Sequence, residues 1–328
     1  MIVPAVNVTS TQPLLELSHV RRYFGSTRAV EDVSFEVHRG QVFGYIGPNG
    51  AGKTTSMRIL ATLDTPSSGD AYVDGFSVVD DPDRVRRRLG FMPDYFGTYA
   101  NINVREYLDF FARAYGLRGQ ARLSALDYVM KFTLLADMAE KPINGLSKGM
   151  KQRLCLGRTM VHSPAALVLD EPAAGLDPRA RIELREMINA LAAEGKAILV
   201  SSHILTELAE MCHIVGIIEQ GQLLAVGSVN EIQQGKRADG ELGLLQNAVN
   251  VEVLENAEGL ARWLGEREHV VELKIDGLKL SFLHPGDRAA EAALLKAMIE
   301  SGFRVASFGS RPKSLEDVFM EVTRGRVQ

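Results

Sequence analysis

A chain of 328 residues is long enough for one large domain and a smaller one, and its formal net charge of −4 leaves no footprint for general nucleic-acid binding. No apolar run approaches the roughly eighteen residues of a membrane-spanning helix, and residues 1–13 lack the basic start and apolar stretch of a secretory signal. Cys155 and Cys212 both sit in apolar helical patterns, so they read as small buried hydrophobes in a reducing compartment and not as a disulfide or metal pair.

After a flexible tail at 1–13, residues 14–20 and 33–37 alternate as strands do. Residues 42–46 form a short, mostly apolar run expected of a buried parallel strand. The segment Gly47-Pro48-Asn49-Gly50-Ala51-Gly52-Lys53-Thr54-Thr55 follows and fits the phosphate-binding pattern G-x-x-x-x-G-K-[ST] of ATP and GTP sites. Residues 54–60 then open a helix, which completes the strand–loop–helix context that the motif needs. Glycines at 47, 50 and 52 let the backbone curl so that N–H groups converge on one anion, and the helix start adds about half a positive charge. Lys53 is placed to reach the β- and γ-phosphates, and the Thr54 hydroxyl to hold Mg²⁺.

Further along, residues 70–73 and 89–92 read as strands and 82–88 as a helix, whose Arg84, Arg86, Arg87 and Arg88 read as a solvated face first and a face for anionic lipid or a partner second. From 104 to about 160 the pattern is helical, with breaks at Gly116 and Pro142. Phe110 and Phe111 are assigned to the core of that helical lobe, whereas Tyr95, Phe96 and Tyr99 suit either docking or packing. Strand and helix alternate again at 166–169, 179–193, 197–200, 205–212 and 214–218, which argues for an α/β fold with a mostly parallel sheet and the helical block inserted as a lobe. The strand at 166–169 ends in Asp170-Glu171. It therefore delivers a carboxylate to the sheet's C-terminal edge, where Asp170 steadies a Mg²⁺ shell and Glu171 orients or deprotonates the attacking water. Between these two sites, Leu146-Ser147-Lys148-Gly149-Met150-Lys151-Gln152-Arg153 opens another helix. Ser147 is a good N-cap residue there, and the free N–H groups make a second anion site.

The phosphate loop, the Ser147–Gly149 helix start, Asp170-Glu171, Gly175-Leu176-Asp177 and His203 occur in the order of ABC-family ATPases, and over residues 14–234 the chain resembles that family. The resemblance implies a P-loop NTPase domain that hydrolyses ATP. Ser147 and Gly149 of one copy would meet the γ-phosphate of ATP held by a second ATP-binding subunit, here a homodimer. Asp177 resembles the loop aspartate that crosses that interface, His203 the switch histidine on the γ-phosphate, and Phe24 the aromatic that stacks on adenine. Two departures lie in the signature, where Lys148 and Met150 replace the usual residues, as in many exporter-type members. The third is Asp94, in Phe91-Met92-Pro93-Asp94, at the place of the glutamine that touches Mg²⁺ and signals to the membrane subunit. When ionised, a carboxylate only accepts hydrogen bonds, so Asp94 can approach the metal but cannot donate as an amide does.

From about residue 247 the character changes. Val249, Val251 and Val253 alternate with polar residues. A helix carrying Leu260, Trp263 and Leu264 follows, then a strand at 271–275 and an Asp276-Gly277 hairpin turn. Ala290, Ala293, Leu294, Ala297 and Met298 line one helix face, and 303–307 forms a last strand. The order βαββαβ is that of a small α+β, ferredoxin-like module, and Ser314 to Asp317 reads as a capping box for a final helix. The expected organisation is an ATP-binding domain at 14–235 with its lobe at about 95–162, a linker at 236–247, and an accessory domain at 248–328. By resemblance, the chain is the ATP-hydrolysing subunit of an exporter-type transporter, bound through a separate membrane permease to the cytoplasmic face of the cell membrane. The alternative is a soluble ABC ATPase of translation, DNA maintenance or cluster assembly, against which the single cassette plus accessory tail argues.

Overall fold

Short turns and long crossovers decide how the large sheet is wired. The computed structural model describes residues 12–95, 97, 102–202, 204–233, 247–267, 270–285, 288–312 and 314–324. His203, Phe96, Tyr99, residues 1–11 of the expected tail and residues 236–246 of the expected linker lie outside the described residues. The chain divides into two compact units, residues 1–226 and 227–328.

In the first unit, β1 (Leu15–Phe24) and β2 (Thr27–Val37) are joined through Gly25 and Ser26 and pair antiparallel, with Phe24 opposite Thr27. Next come β3 (Val42–Ile46), α1 (Lys53–Leu60), β4 (Ser68–Val73), β5 (Phe76–Ser77), α2 (Pro82–Arg88) and β6 (Leu89–Met92). The lobe contributes α3 (Val104–Ala114), α4 (Gly119–Phe132) and α5 (Lys148–Met160). The sheet is completed by β7 (Ala166–Leu169), α6 (Pro178–Ala193), β8 (Ala197–Ser202), α7 (Leu205–Met211), β9 (Ile214–Glu219) and β10 (Gln222–Ser228). The ten strands are ordered β5-β4-β1-β2-β10-β9-β3-β8-β7-β6. The block β9-β3-β8-β7-β6 is parallel, as the alternation of strand and helix requires. β10 also pairs parallel with β2, so the sheet is mostly parallel as expected, with an antiparallel end. The β5-β4-β1-β2 end is antiparallel: two-residue turns fold β2 back on β1 and β5 back on β4, and β4 returns antiparallel to β1.

All five residues of β3 are buried. Phe43 stacks on Phe35 at 4.4 Å, and burial of such a side chain stabilises the fold by about 1.5–3 kcal/mol. In the lobe, Asn103 and Glu106 form a reciprocal capping box at the start of α3. That helix buries Val104, Tyr107, Leu108 and Ala112. Phe110 is a correction: it is 55 % exposed, because the 3.6-residue stripe runs through 107, 108 and 112 and turns position 110 outward. Phe111 is half-buried, so among the described residues the lobe's buried aromatic is Tyr107. Both cysteines lie in apolar surroundings, and burial pushes the Cys155 thiol up to about 12.

The second unit begins with the end of β10 and takes in α8 (Val229–Gln233), β11 (Asn247–Val253), α9 (Ala257–Gly265), β12 (Val271–Asp276), β13 (Lys279–His284), α10 (Arg288–Glu300), β14 (Val305–Pro312) and α11 (Leu315–Arg324). Its sheet order, β12-β13-β11-β14, with β11 central and antiparallel to both neighbours, is that of a ferredoxin-like βαββαβ unit. Val249, Val251 and Val253 point to one face and pack with Leu260, Leu264, Leu280, Phe282, Leu294 and Met298. Three details differ from the sequence pattern. The hairpin loop is Gly277 and Leu278, with Gly277 at φ 59, since Asp276 already pairs with Lys279. The last strand runs later than expected, over Val305–Pro312. On α10, Glu291 and not Ala293 faces inward, held by Asn247 Nδ2 at 2.6 Å and Ser310 Oγ at 2.5 Å. The capping box is present as expected: Asp317 N–H donates to Ser314 Oγ at 3.2 Å, and Ser314 N–H to Asp317 Oδ2 at 2.8 Å.

Candidate nucleotide site

The phosphate loop joins β3 to α1 at the C-terminal edge of the parallel strands. Gly52 has φ 105, and a Cβ there would lie 2.4 Å from the Ala29 carbonyl oxygen. At Gly47 a Cβ would meet the Ile218 carbonyl at 2.3 Å. Both positions thus require glycine for sterics alone, before any ligand is considered. Gly47, Ala51, Gly52 and Lys53 are buried, while Pro48, Asn49, Gly50 and Thr54 face outward and Thr55 is half-buried. No side chain caps α1. Its first N–H groups therefore remain available to an anion, where the helix dipole is positive. Lys53 Nζ donates to the Gly47 and Pro48 carbonyls at 2.5 and 3.1 Å, so the amine lies over the loop it serves. Burial lowers its pKa, and the charges of Glu171 and Asp170 oppose that shift.

Strand order brings the second group to the first. Because β8 lies between β3 and β7, its C-terminal end separates the phosphate loop from Asp170. Thr54 Oγ1 donates to Asp170 Oδ2 at 2.9 Å, and Ser201 Oγ, from β8, donates to Asp170 Oδ1 at 2.6 Å. Ser201 Oγ also accepts the Glu171 N–H at 2.9 Å. Sequence reasoning missed Ser201; its signal was its place at the end of a strand two residues before His203. Asp170 is only 2 % exposed, with both oxygens engaged. Glu171 adopts φ 49, a left-handed conformation uncommon for a non-glycine residue and of the kind concentrated at functional sites.

The signature helix forms a separate group. Ser147 Oγ accepts the Met150 N–H at 3.3 Å and caps α5. A Cβ on Gly149 would lie 3.2 Å from Ala180 Cβ, so α5 starts against the first turn of α6. That turn is capped by Asp177, which accepts the Ala180 N–H at 2.9 Å. Among the described residues, no hydrogen bond or ion pair runs from Ser147, Lys148 or Gly149 to residues 47–55. Phe24 is 48 % exposed at the hairpin tip, with the Arg22 guanidinium 4.4 Å from its ring centre. Strand β2 leads from that tip past Gly52. Tyr23 is half-buried, and its hydroxyl faces Glu31 at 3.5 Å. Asp94 follows β6, whose Met92 carbonyl accepts the Asp170 N–H at 2.8 Å. Asp94 is exposed and makes no hydrogen bond or ion pair with the described residues.

The donor set fits a hard divalent cation. A threonine hydroxyl and a buried carboxylate stand together at the loop, and Mg²⁺ characteristically takes one or two protein oxygens while keeping waters and substrate phosphates. Among the described residues there is no cluster of three or more His, Cys, Asp or Glu that would form an all-protein cage. No helix among the described residues is long and apolar enough to cross a membrane.

Residues 30–174 match the family described as "ABC transporter", and residues 244–323 the family described as "ATP-binding protein DrrA1-3-like, C-terminal domain". The chain is 33 % identical over 317 residues to a Nod factor export ATP-binding protein of Cupriavidus pinatubonensis, covering 96 % of this chain and 92 % of that one. It is 32 % identical to the bacitracin transport ATP-binding protein BcrA of Bacillus licheniformis, covering 95 % and 98 %. A solved ATP-binding subunit of an ABC transporter superposes with a TM-score of 0.62 at 31 % identity, over 69 % of this chain and 96 % of that one. The phosphate loop, its strand carboxylate and these full-length relatives place the chain in one family: it belongs to the ATP-binding subunits of ABC transporters, the ATPases that power transport.

Proposed function

We propose that this subunit energises export by ATP-driven closure of a homodimer that straddles two nucleotides and moves a separate membrane permease. The observation that carries the catalytic part is the Thr54–Asp170–Ser201 chain of hydrogen bonds, which fixes the strand carboxylate against the phosphate loop. In this reading Gly47 to Thr55 cradle the phosphates and Phe24 stacks on the adenine. Thr54 and Asp170, with Asp94 nearby, hold Mg²⁺, which neutralises charge on the phosphate oxygens when bound. Glu171 takes or orients the water proton, and His203 senses the γ-phosphate. Ser147, Gly149 and Asp177 complete the site of the other copy. Export is supported by relatives such as the Nod factor export ATP-binding protein, and peripheral attachment at the cytoplasmic face follows from permease binding.

The test is sedimentation with nucleotide. The Glu171→Gln chain is expected to form an ATP-bound dimer that ADP does not support, and coexpressed permease is expected to stimulate the wild-type ATPase. A monomer that hydrolyses ATP at full rate at all protein concentrations would refute the two-copy mechanism.

A further inference from the structure

The arginines of α2 form more than a solvated face. Arg84, Arg87 and Arg88 gather with Arg39 and Lys196, both distant in sequence, around a cavity of 640 Å³. Arg86 turns away, to Thr62 and Asp83. The convergence follows from topology. Arg39 precedes β3, Arg88 precedes β6, and Lys196 precedes β8. The strand starts are knitted by backbone bonds from Ala165 N–H to the Arg88 carbonyl at 2.9 Å and from Gly40 N–H to the Lys196 carbonyl at 3.2 Å. The cavity therefore lies at the N-terminal edge of the parallel strands. The phosphate loop is at the opposite edge, about 15–20 Å away, the length of a five- or six-residue strand.

Its charges are unbalanced. Five cations line the cavity against one carboxylate, Glu194, which already accepts the Tyr128 hydroxyl at 2.7 Å. Two of the arginines are held in place: Arg88 pairs with Asp74 and Arg84 with Asp81, and their guanidinium groups lie 5.0 and 5.2 Å from the Phe76 ring centre. Among the described residues the other three cations have no ion pair: Arg39 and Lys196 donate to the Gly195 and Pro164 carbonyls, and Arg87 has no partner there. Burial lowers the Lys196 pKa; nearby Glu194 opposes this, while the charge of Arg39 lowers it further, a repulsion that a bound anion would relieve. Fixed guanidinium groups beside free ones, in a concave site, match the oxygens of a phosphate group, which arginine binds in bidentate fashion.

We propose that this cleft is a second anion site, distinct from the phosphate loop, that binds a phosphate-bearing ligand. The group is either part of a soluble phosphate ester or the headgroup of an anionic lipid. The experiment uses the full chain saturated with ADP, so that the phosphate loop is filled. ADP affinity is measured first, so that a failure there is attributed to the loop and not to the cleft. Inorganic pyrophosphate is then titrated calorimetrically at low salt, and flotation with phosphatidylglycerol vesicles is run beside phosphatidylcholine controls. Binding of pyrophosphate identifies a soluble ligand; selective binding of phosphatidylglycerol vesicles alone identifies a headgroup. In either case Arg87→Glu and, separately, Arg39→Ser should weaken binding by about tenfold or more, the loss expected when a charge-assisted hydrogen bond is removed. Both variants should keep the wild-type ADP affinity and melting temperature. Binding of neither probe to the ADP-saturated wild type, or binding unchanged in both variants, would overturn the proposal.

Discussion

Helices α1 and α5 both begin at glycine-bearing motifs, yet only α5 has one of its first N–H groups capped by a side chain. At α1 no side chain caps the helix, and the free groups converge with Lys53 on the space above the loop. At α5 the cap is made within the chain, from Met150 N–H to Ser147 Oγ. A serine that accepts through its oxygen still has its own O–H proton to give. One copy thus presents an uncapped cradle at α1 and, at α5, a helix start where the Ser147 cap takes up the Met150 N–H and leaves the Lys148 and Gly149 N–H groups and the serine O–H available. The difference is that α1 has Lys53 over its own loop, whereas α5 starts with one N–H taken up by Ser147, and the proposed two-copy mechanism assigns it a phosphate held by the other copy.

The sharpest way to break this comparison is to stop the chemistry at the α1 side alone. Glu171→Gln is expected to retain ATP binding and slow turnover by about two or more orders of magnitude, the scale of losing a positioned acid–base group. Steady-state ATPase rates and nucleotide titration check both halves. Turnover near wild type would remove Glu171 from its role. Lys53→Ala acts on binding itself and is expected to weaken ATP affinity by about ten- to a hundredfold, since hydrogen bonds to charged groups are worth about 1.5–3 kcal/mol.

At α5 two substitutions of one residue separate cap from contact. Ser147→Ala removes the cap and is expected to cost about 1 kcal/mol of stability, read by denaturant unfolding. Ser147→Arg adds bulk where the proposed mechanism docks the other copy's γ-phosphate. It should bind ATP as the wild type does, while dimerisation fails and turnover drops by about tenfold, or 1.4 kcal/mol in the barrier. Equal ATPase loss in the two variants would reduce Ser147 to a helix cap.

Much of this contrast was legible from residue order. The pattern at 47–55 dictates its own backbone, because Gly47 and Gly52 tolerate no side chain, and Asp170 was marked by the strand that delivers it. Ser201 was marked only by its place near His203, and its bonds to Asp170 and Glu171 depend on β8 lying between β3 and β7, a neighbour relation that no local pattern encodes. Phe110 and Ala293 were misread for a related reason. Both were assigned to a core face, whereas helix phase turns both outward and brings Glu291 in, held by Asn247 and Ser310. The antiparallel end of the large sheet was hidden similarly, because alternation marks a strand without marking its direction.

The smallest expected effect, and the finest division between the two helix starts, lies at Asp94. Its loop leaves β6 beside Asp170, through the Asp170 N–H bond to Met92, so it can report on the α1 site. It is also followed by Tyr95, 85 % exposed and open to a permease. Asp94 makes no bond within the described chain, so replacing it should leave folding within about 0.5 kcal/mol. Asp94→Asn keeps an oxygen and the shape but removes the charge. It is expected to bind ATP normally and to shift the Mg²⁺ dependence of turnover by only a few-fold, about 1 kcal/mol or less. Asp94→Ala removes the oxygen as well, so its larger loss should fall on stimulation by the permease and not on basal binding. If Asp94 served only as a turn former, Asn would match the wild type in every assay, because both residues favour such turns. ATPase rates measured against Mg²⁺, with and without permease, separate these roles. An unchanged Mg²⁺ profile and intact stimulation in Asp94→Ala would leave the carboxylate with no part in metal sensing.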